Sequence, residues 1–148
     1  CFMVSVKEAF DLAFSEAEEA KKEGDVPVGA VIVSGGEIIS FAHNEREKNM
    51  CPTDHAEILA IRRAAKKTGD WRLSDATIIV TLEPCIMCAG AIMNARIKNI
   101  YFSAFDREAG ACGGQLNVFN KNYNICGGLY LPQGEGLITD FFKDRRKD

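Results

Sequence analysis

The chain has 148 residues, of which 47% are hydrophobic and 26% charged, and its formal net charge is −3. That length and balance suit one globular domain spanning residues 1–148 and exclude an intrinsically disordered chain. No apolar run is long enough to cross a membrane, and the acidic total gives no global signature of nucleic-acid binding, although a local basic patch would suffice for it.

Ser5-Val6-Lys7-Glu8 has the form of a capping box. Ala9, Phe10, Ala13, Phe14, Ala17 and Ala20 follow at helical spacing, with Gly24 as the stop. Val26 to Val33 is a short apolar run rich in β-branched residues. With the turn Ser34-Gly35-Gly36-Glu37 and a second strand over Ile38 to Ala42, it reads as a hairpin. Residues 45–52 are polar, end at Pro52 and read as a loop. Thr53 or Asp54 is placed to cap the next helix, whose first turn holds His55 and Glu57 and which Gly69 ends. Ala76 to Leu82 is apolar almost throughout, as a buried strand would be. Cys85 and Cys88 open a helix running to about Arg96, and Asn99 to Phe105 is a fourth strand. Residues 106–124 are loop-rich, and a last helix runs from roughly Leu137 to Arg146. Helices alternating with strands argue for an α/β sandwich around a mixed sheet.

There are six cysteines: Cys1, Cys51, Cys85, Cys88, Cys112 and Cys126. With Lys7 and Glu8 so close to its start, the chain shows no secretory segment, so a reducing cytoplasm and a metal-bound pair are expected rather than a disulfide framework. Cys112 and Cys126 are then small buried or half-buried hydrophobes, Trp71 is a core residue, and His43 is structural or on the surface. Arg62, Arg63, Lys66 and Lys67 read as a solvated helix face.

The chemistry concentrates in His55-Ala56-Glu57 and Pro84-Cys85-Ile86-Met87-Cys88. Cys85 and Cys88, three positions apart on a helix, share a face. At a helix start, free N–H groups favour thiolate over thiol. One imidazole and two thiolates can hold one zinc ion with its fourth tetrahedral position open, the mark of a catalytic site. Glu57 is free to handle the proton of a zinc-activated water. H-x-E with P-C-x-x-C is the already known signature of the zinc nucleobase deaminases.

Beyond this signature the chain resembles the bacterial tRNA-specific adenosine deaminases of the cytidine/deoxycytidylate deaminase superfamily. The resemblance runs through Val26-Pro-Val-Gly-Ala30, His43-Asn44, Pro52-Thr53, Trp71-Arg-Leu73, Asp75-Ala-Thr77, Val80-Thr-Leu-Glu-Pro-Cys85, Met87-Cys-Ala-Gly-Ala91, Arg96-Ile97, Asp106, Ala109-Gly-Ala111, Asp140-Phe-Phe142 and Arg145-Arg146. It implies a three-layer α/β/α sandwich with a five-stranded mixed sheet, and a homodimer. It implies deamination of adenosine to inosine at the wobble position of a tRNA anticodon, with His55, Cys85 and Cys88 on zinc and Glu57 moving protons. Asn44 would bond the flipped nucleotide and Asp106 would lie near a ribose. Phe141, Phe142, Arg145 and Arg146 would contact the anticodon arm. Cys51, Asp54 and Phe105 depart from the family pattern, and Gly134 and Gly136 imply a late start to the last helix.

Three other functions compete. The same zinc centre could deaminate a free base or nucleoside, of guanine or cytosine type, but such a substrate needs no aromatic-basic tail. A non-catalytic zinc module has no use for Glu57. A redox dithiol leaves His-Ala-Glu unexplained.

Overall fold

The computed structural model describes residues 3–146, the side chains of Arg145 and Arg146 excepted. In chain order its elements are α1 (Val6–Lys22), β1 (Gly29–Ser34), β2 (Glu37–His43), α2 (Arg46–Asn49), α3 (Ala56–Thr68), β3 (Ala76–Leu82), α4 (Ile86–Asn94), β4 (Asn99–Ala104), β5 (Asn124–Cys126) and α5 (Leu131–Arg146). Ser5 caps α1 by accepting the Glu8 N–H at 3.0 Å. Gly69 ends α3 in the left-handed conformation at φ 76.

The sheet order is β2-β1-β3-β4-β5. β1 is antiparallel to both its neighbours, and β3, β4 and β5 are parallel. Alternation along the strands sorts the core into two layers. Val31 and Ile79 face α1 and α5, where Phe10, Phe14 and Leu137 are buried. Ala30, Ile32, Ile78 and Val80 face α3 and α4, where Ala60, Ala64, Ala89 and Ile92 are buried. The result is the three-layer α/β/α sandwich with a five-stranded mixed sheet. Burying a side chain such as Ile78 or Phe10 contributes roughly 1.5–3 kcal/mol. None of the helices among the described residues is long and apolar enough to cross a membrane.

Several local expectations need correction. The segment expected as loop over 45–52 contains the single-turn helix α2, whose Glu47 N–H is taken by the buried Asp25 carboxylate at 3.0 Å. Neither Thr53 nor Asp54 caps α3. His55 occupies the N-cap position, and the Asn44 side chain accepts the Ala56 N–H at 2.8 Å. The last helix starts at Leu131, not near Leu137. Pro132 fits a first helical turn. A Cβ on Gly134 would collide with Ser103, so the small residue permits close packing of α5 on β4. That packing offsets the cost of a helical glycine, about 1 kcal/mol. Trp71 is exposed rather than in the core, flanked by the Arg72 and Arg96 guanidinium groups at 4.3 and 5.4 Å from the ring centroid. Cys126 is exposed, because it sits on the short edge strand β5.

Candidate active site

Pairing directions decide where the chemistry gathers. β2, β3, β4 and β5 run the same way and β1 opposes them. The chain therefore leaves β2 at Asn44, β3 at Glu83 and β4 at Phe105 along one edge of the sheet. Clefts at the carboxyl ends of strands are where α/β proteins bind ligands. α4 starts at that edge, directly after β3. His55 and Cys85 hold the N-cap positions of α3 and α4, and neither side chain caps its helix. Both side chains are thus free to face each other between two helix N-termini.

His55 Nδ1 lies 3.5 Å from Cys88 Sγ and 3.8 Å from Cys85 Sγ. All three ligand atoms fall within 4.8 Å of one another. Zinc bonds of about 2.3 Å to sulfur and 2.0–2.1 Å to nitrogen, at a tetrahedral angle, place N and S roughly 3.6 Å apart. The donor set and its spacing therefore fit zinc.

The charges support the same use. A hydrogen bond from Cys88, with His55 as a second partner, holds the Cys85 thiol down at about 3, well below its ordinary value of 9.0. The same sulfur–sulfur contact, with burial, pushes the Cys88 thiol up. The Cys85 contact raises the His55 imidazole above its ordinary value. Glu57, in the first turn of α3, is 3% exposed. Burial, aided by the charge on Cys85, pushes its carboxyl up from 4.5 to about 6.

His55, Glu57 and Cys85 line a cavity of about 440 Å³ that also takes in Asn44, Arg46, Phe105, Asp106 and Phe142. Asn44 is buried, and with its oxygen committed to Ala56, its NH₂ is left as a donor for the cavity. Asp106 accepts the N–H groups of Glu108 and Ala109 through Oδ1, both at 3.1 Å, so it caps a turn as well as lining the cavity. On α5, Phe141 is buried and Phe142 is exposed at the cavity, their rings meeting edge to face at 5.4 Å. Arg145 and Arg146 end α5, and their side chains lie outside the described residues. His43 is no ligand: Glu16 and Glu23 hold its two ring nitrogens, each at 3.2 Å. Asp54 turns its charge inward, onto Asn49 at 2.8 Å and toward Arg62 at 3.8 Å, and does not line the cavity. The Asn49 amide, helped by Cys51, holds its carboxyl below the ordinary value.

Sequence reasoning gave no role to Glu83. Its carboxylate is 2% exposed and accepts three backbone N–H groups: Asp106 at 2.9, Cys112 at 2.9 and Gly114 at 2.7 Å. A Cβ on Gly110 or Gly114 would strike that carboxylate. Glu83 thus fastens the cavity wall after β4 to the segment that carries the cysteines. Burial, and then Glu83, push the Cys112 thiol up to about 12. A glutamate between an apolar strand and a proline, with two glycines downstream, was the available signal, but its partners are 23 to 31 residues away.

A sequence model of the MafB19-like deaminases matches residues 4–146. A tRNA-specific adenosine deaminase of Bacillus subtilis (strain 168) is 43% identical over 140 residues, covering 91% of this chain and 87% of that protein. A structure from studies of A-to-I editing by tRNA:A34 deaminases at the wobble position of transfer RNA superposes with a TM-score of 0.83. It is 35% identical, over 88% of this chain and 99% of its own. A guanine deaminase from Bacillus subtilis superposes with a TM-score of 0.66 at 38% identity, over 69% of this chain and 66% of its own.

Proposed function

The chain belongs to the tRNA-specific adenosine deaminase family, and from that membership we propose that it hydrolyses the wobble adenosine of a tRNA anticodon to inosine. The observation that carries this reading is the buried Glu57 carboxylate beside a His/Cys/Cys triad, in a cavity with room for a flipped base. His55, Cys85 and Cys88 would hold one zinc per chain. When bound, the metal supplies a Lewis acid that makes water nucleophilic near neutral pH. Glu57 takes the proton of the attacking water and delivers it to adenine N1; it then takes the remaining proton of the new C6 hydroxyl and passes it to the amino group, so that ammonia leaves as the C6 carbonyl forms. A buried carboxyl that bonds no metal can both accept and give a proton. Asn44 orients the flipped nucleotide through its NH₂ group, and Asp106 stands at the ribose. Phe141 braces Phe142 against the cavity mouth, and Arg145 and Arg146 add positive charge to the chain end for the anticodon arm.

The likeness to guanine deaminase supports a second reading, the same chemistry on a free base. Against it, Ile138 and Phe142 of the last helix line the cavity, a wall that an isolated base does not require. The protein acts as a cytoplasmic homodimer of single-domain subunits. A largely apolar groove between α3 and α4, lined by Ile58, Ile61, Ala65, Trp71, Ala91 and Ala95 with Arg62 and Asn94 among them, supports the pairing. The test is incubation with total tRNA, followed by sequencing of the anticodons for adenosine read as guanosine, with free guanine, cytosine and adenosine in parallel. Ammonia released from a free base and not from tRNA would reject the RNA reading.

A further inference from the structure

Phe105 leaves the end of β4 immediately before Asp106, and it is 46% exposed. Its ring does not hang free. The buried Phe102 ring meets it edge to face, at a centroid distance of 5.1 Å and an interplanar angle of 88°. A Cβ on Gly128 would stand 3.4 Å from the ring, ordinary contact distance. The side chain is thus braced by the Phe102 ring and open to solvent elsewhere. It lines the same cavity as Glu57, and so does the exposed Phe142.

A nucleotide drawn into that cavity leaves its neighbour with one face unstacked. A fixed, exposed aromatic ring replaces a lost stacking partner for any base, because every base has a π-face, and a braced ring loses little entropy in doing so. Arg107 and Arg46, the latter also 3.8 Å from the buried Asp25 carboxylate, line the cavity beside Asp106 and Glu108 and offer positive charge for the connecting phosphates. We propose that Phe105 is the stacking platform for an unpaired nucleobase adjoining the adenosine that is deaminated. The substrate then occupies two places at once, its reacting base in the cavity and a neighbouring base on Phe105. This inference rests on the RNA reading above, and it adds a contact that a free-base substrate cannot make.

The test crosses protein variants with RNA variants. Anticodon stem-loops carry either a normal base or an abasic ribose at the nucleotide 5′ or 3′ of the edited adenosine. With the wild-type protein, the abasic ribose at the stacked position should raise KM about 10-fold while kcat changes little. Phe105→Leu keeps an apolar contact with Phe102 and removes the ring. It should raise KM for intact RNA about 10-fold and abolish the abasic penalty at that position. Phe105→Tyr keeps the ring and should keep the penalty. Phe105→Met is the second ringless variant if Leu does not fold, as judged by melting temperature and zinc content. Equal abasic penalties in the wild type and a folded ringless variant, at both positions, would overturn the proposal. If the wild type deaminates no stem-loop, the RNA reading fails first and this contact fails with it. RNA turnover with equal abasic penalties rejects the Phe105 platform alone.

Discussion

Glu57 and His55 are two residues apart, yet their environments assign them different work. His55 ends outside the helix with its ring toward two sulfurs, whereas Glu57 is inside the first turn and buried. Glu57→Ala should therefore retain zinc and fold while deamination falls by at least 10²-fold; metal analysis beside an ammonia assay checks this. Cys85→Ala should behave oppositely, losing zinc and thermal stability together, because a metal on His55, Cys85 and Cys88 would tie the starts of α3 and α4 to each other. Full zinc occupancy in that variant would reject the ligand set. Asp106 permits a finer test. Its Oδ1 is occupied by the Glu108 and Ala109 N–H groups, so only Oδ2 remains for a ribose hydroxyl. Asp106→Asn can keep the turn and changes the free acceptor into a donor. Melting temperature should hardly move, while the RNA-to-DNA ratio of kcat/KM falls about 10-fold, worth ~1.4 kcal/mol. An unchanged ratio would show that Asp106 serves the turn alone.

Among the elements, the wall after β4 gathers on one buried carboxylate, beside the Ala111 N–H bond to the Pro84 carbonyl. Glu83 holds the N–H groups of Asp106, Cys112 and Gly114, and Gly110 and Gly114 are small because they pass beside it. Glu83→Gln places an NH₂ group against backbone donors that need an acceptor, an uncompensated loss of about 1–3 kcal/mol. The expected outcome is a lower melting temperature and a raised KM for RNA, with zinc still bound through residues that Glu83 does not touch. Gly114→Ala should reproduce that pattern from the other side of the contact. The α5 helix gives a contrasting case: its glycines suggested a weak start, but Gly134 is what lets the helix close on Ser103.

At the scale of the whole molecule, one face is left over. α4 sends Ala89 and Ile92 into its own core, so these two cannot form an interface, but Ala91 faces the exposed groove with Ile58, Ile61 and Trp71. Light scattering at micromolar concentration should give the mass of a dimer, and Ala91→Glu should give a monomer by placing a charge in the apolar contact. A monomeric wild type would reject this use of the groove.

Much of the architecture was legible in sequence because it rests on local physics. Helical spacing from Ala9 to Ala20, the Ser5 cap, the Gly69 stop and the continuous apolar run from Ala76 to Leu82 each act within a few residues, and each element formed where its pattern stood. The gathering of His55, Cys85 and Cys88 into a group that could hold a metal was legible for a similar reason: three ligand side chains at motif spacing have few other uses. Tertiary structure alone decided the rest. Asn44 rather than Thr53 or Asp54 caps α3, Asp25 creates α2, and Glu83 builds the cavity wall, because each buried polar side chain found backbone donors that lie distant in sequence. A pattern reader sees the polar residue but not its partner. The reversed direction of β1 among four strands that run alike brings Asn44, Cys85 and Phe105 to one edge, and only the folded sheet contains that fact.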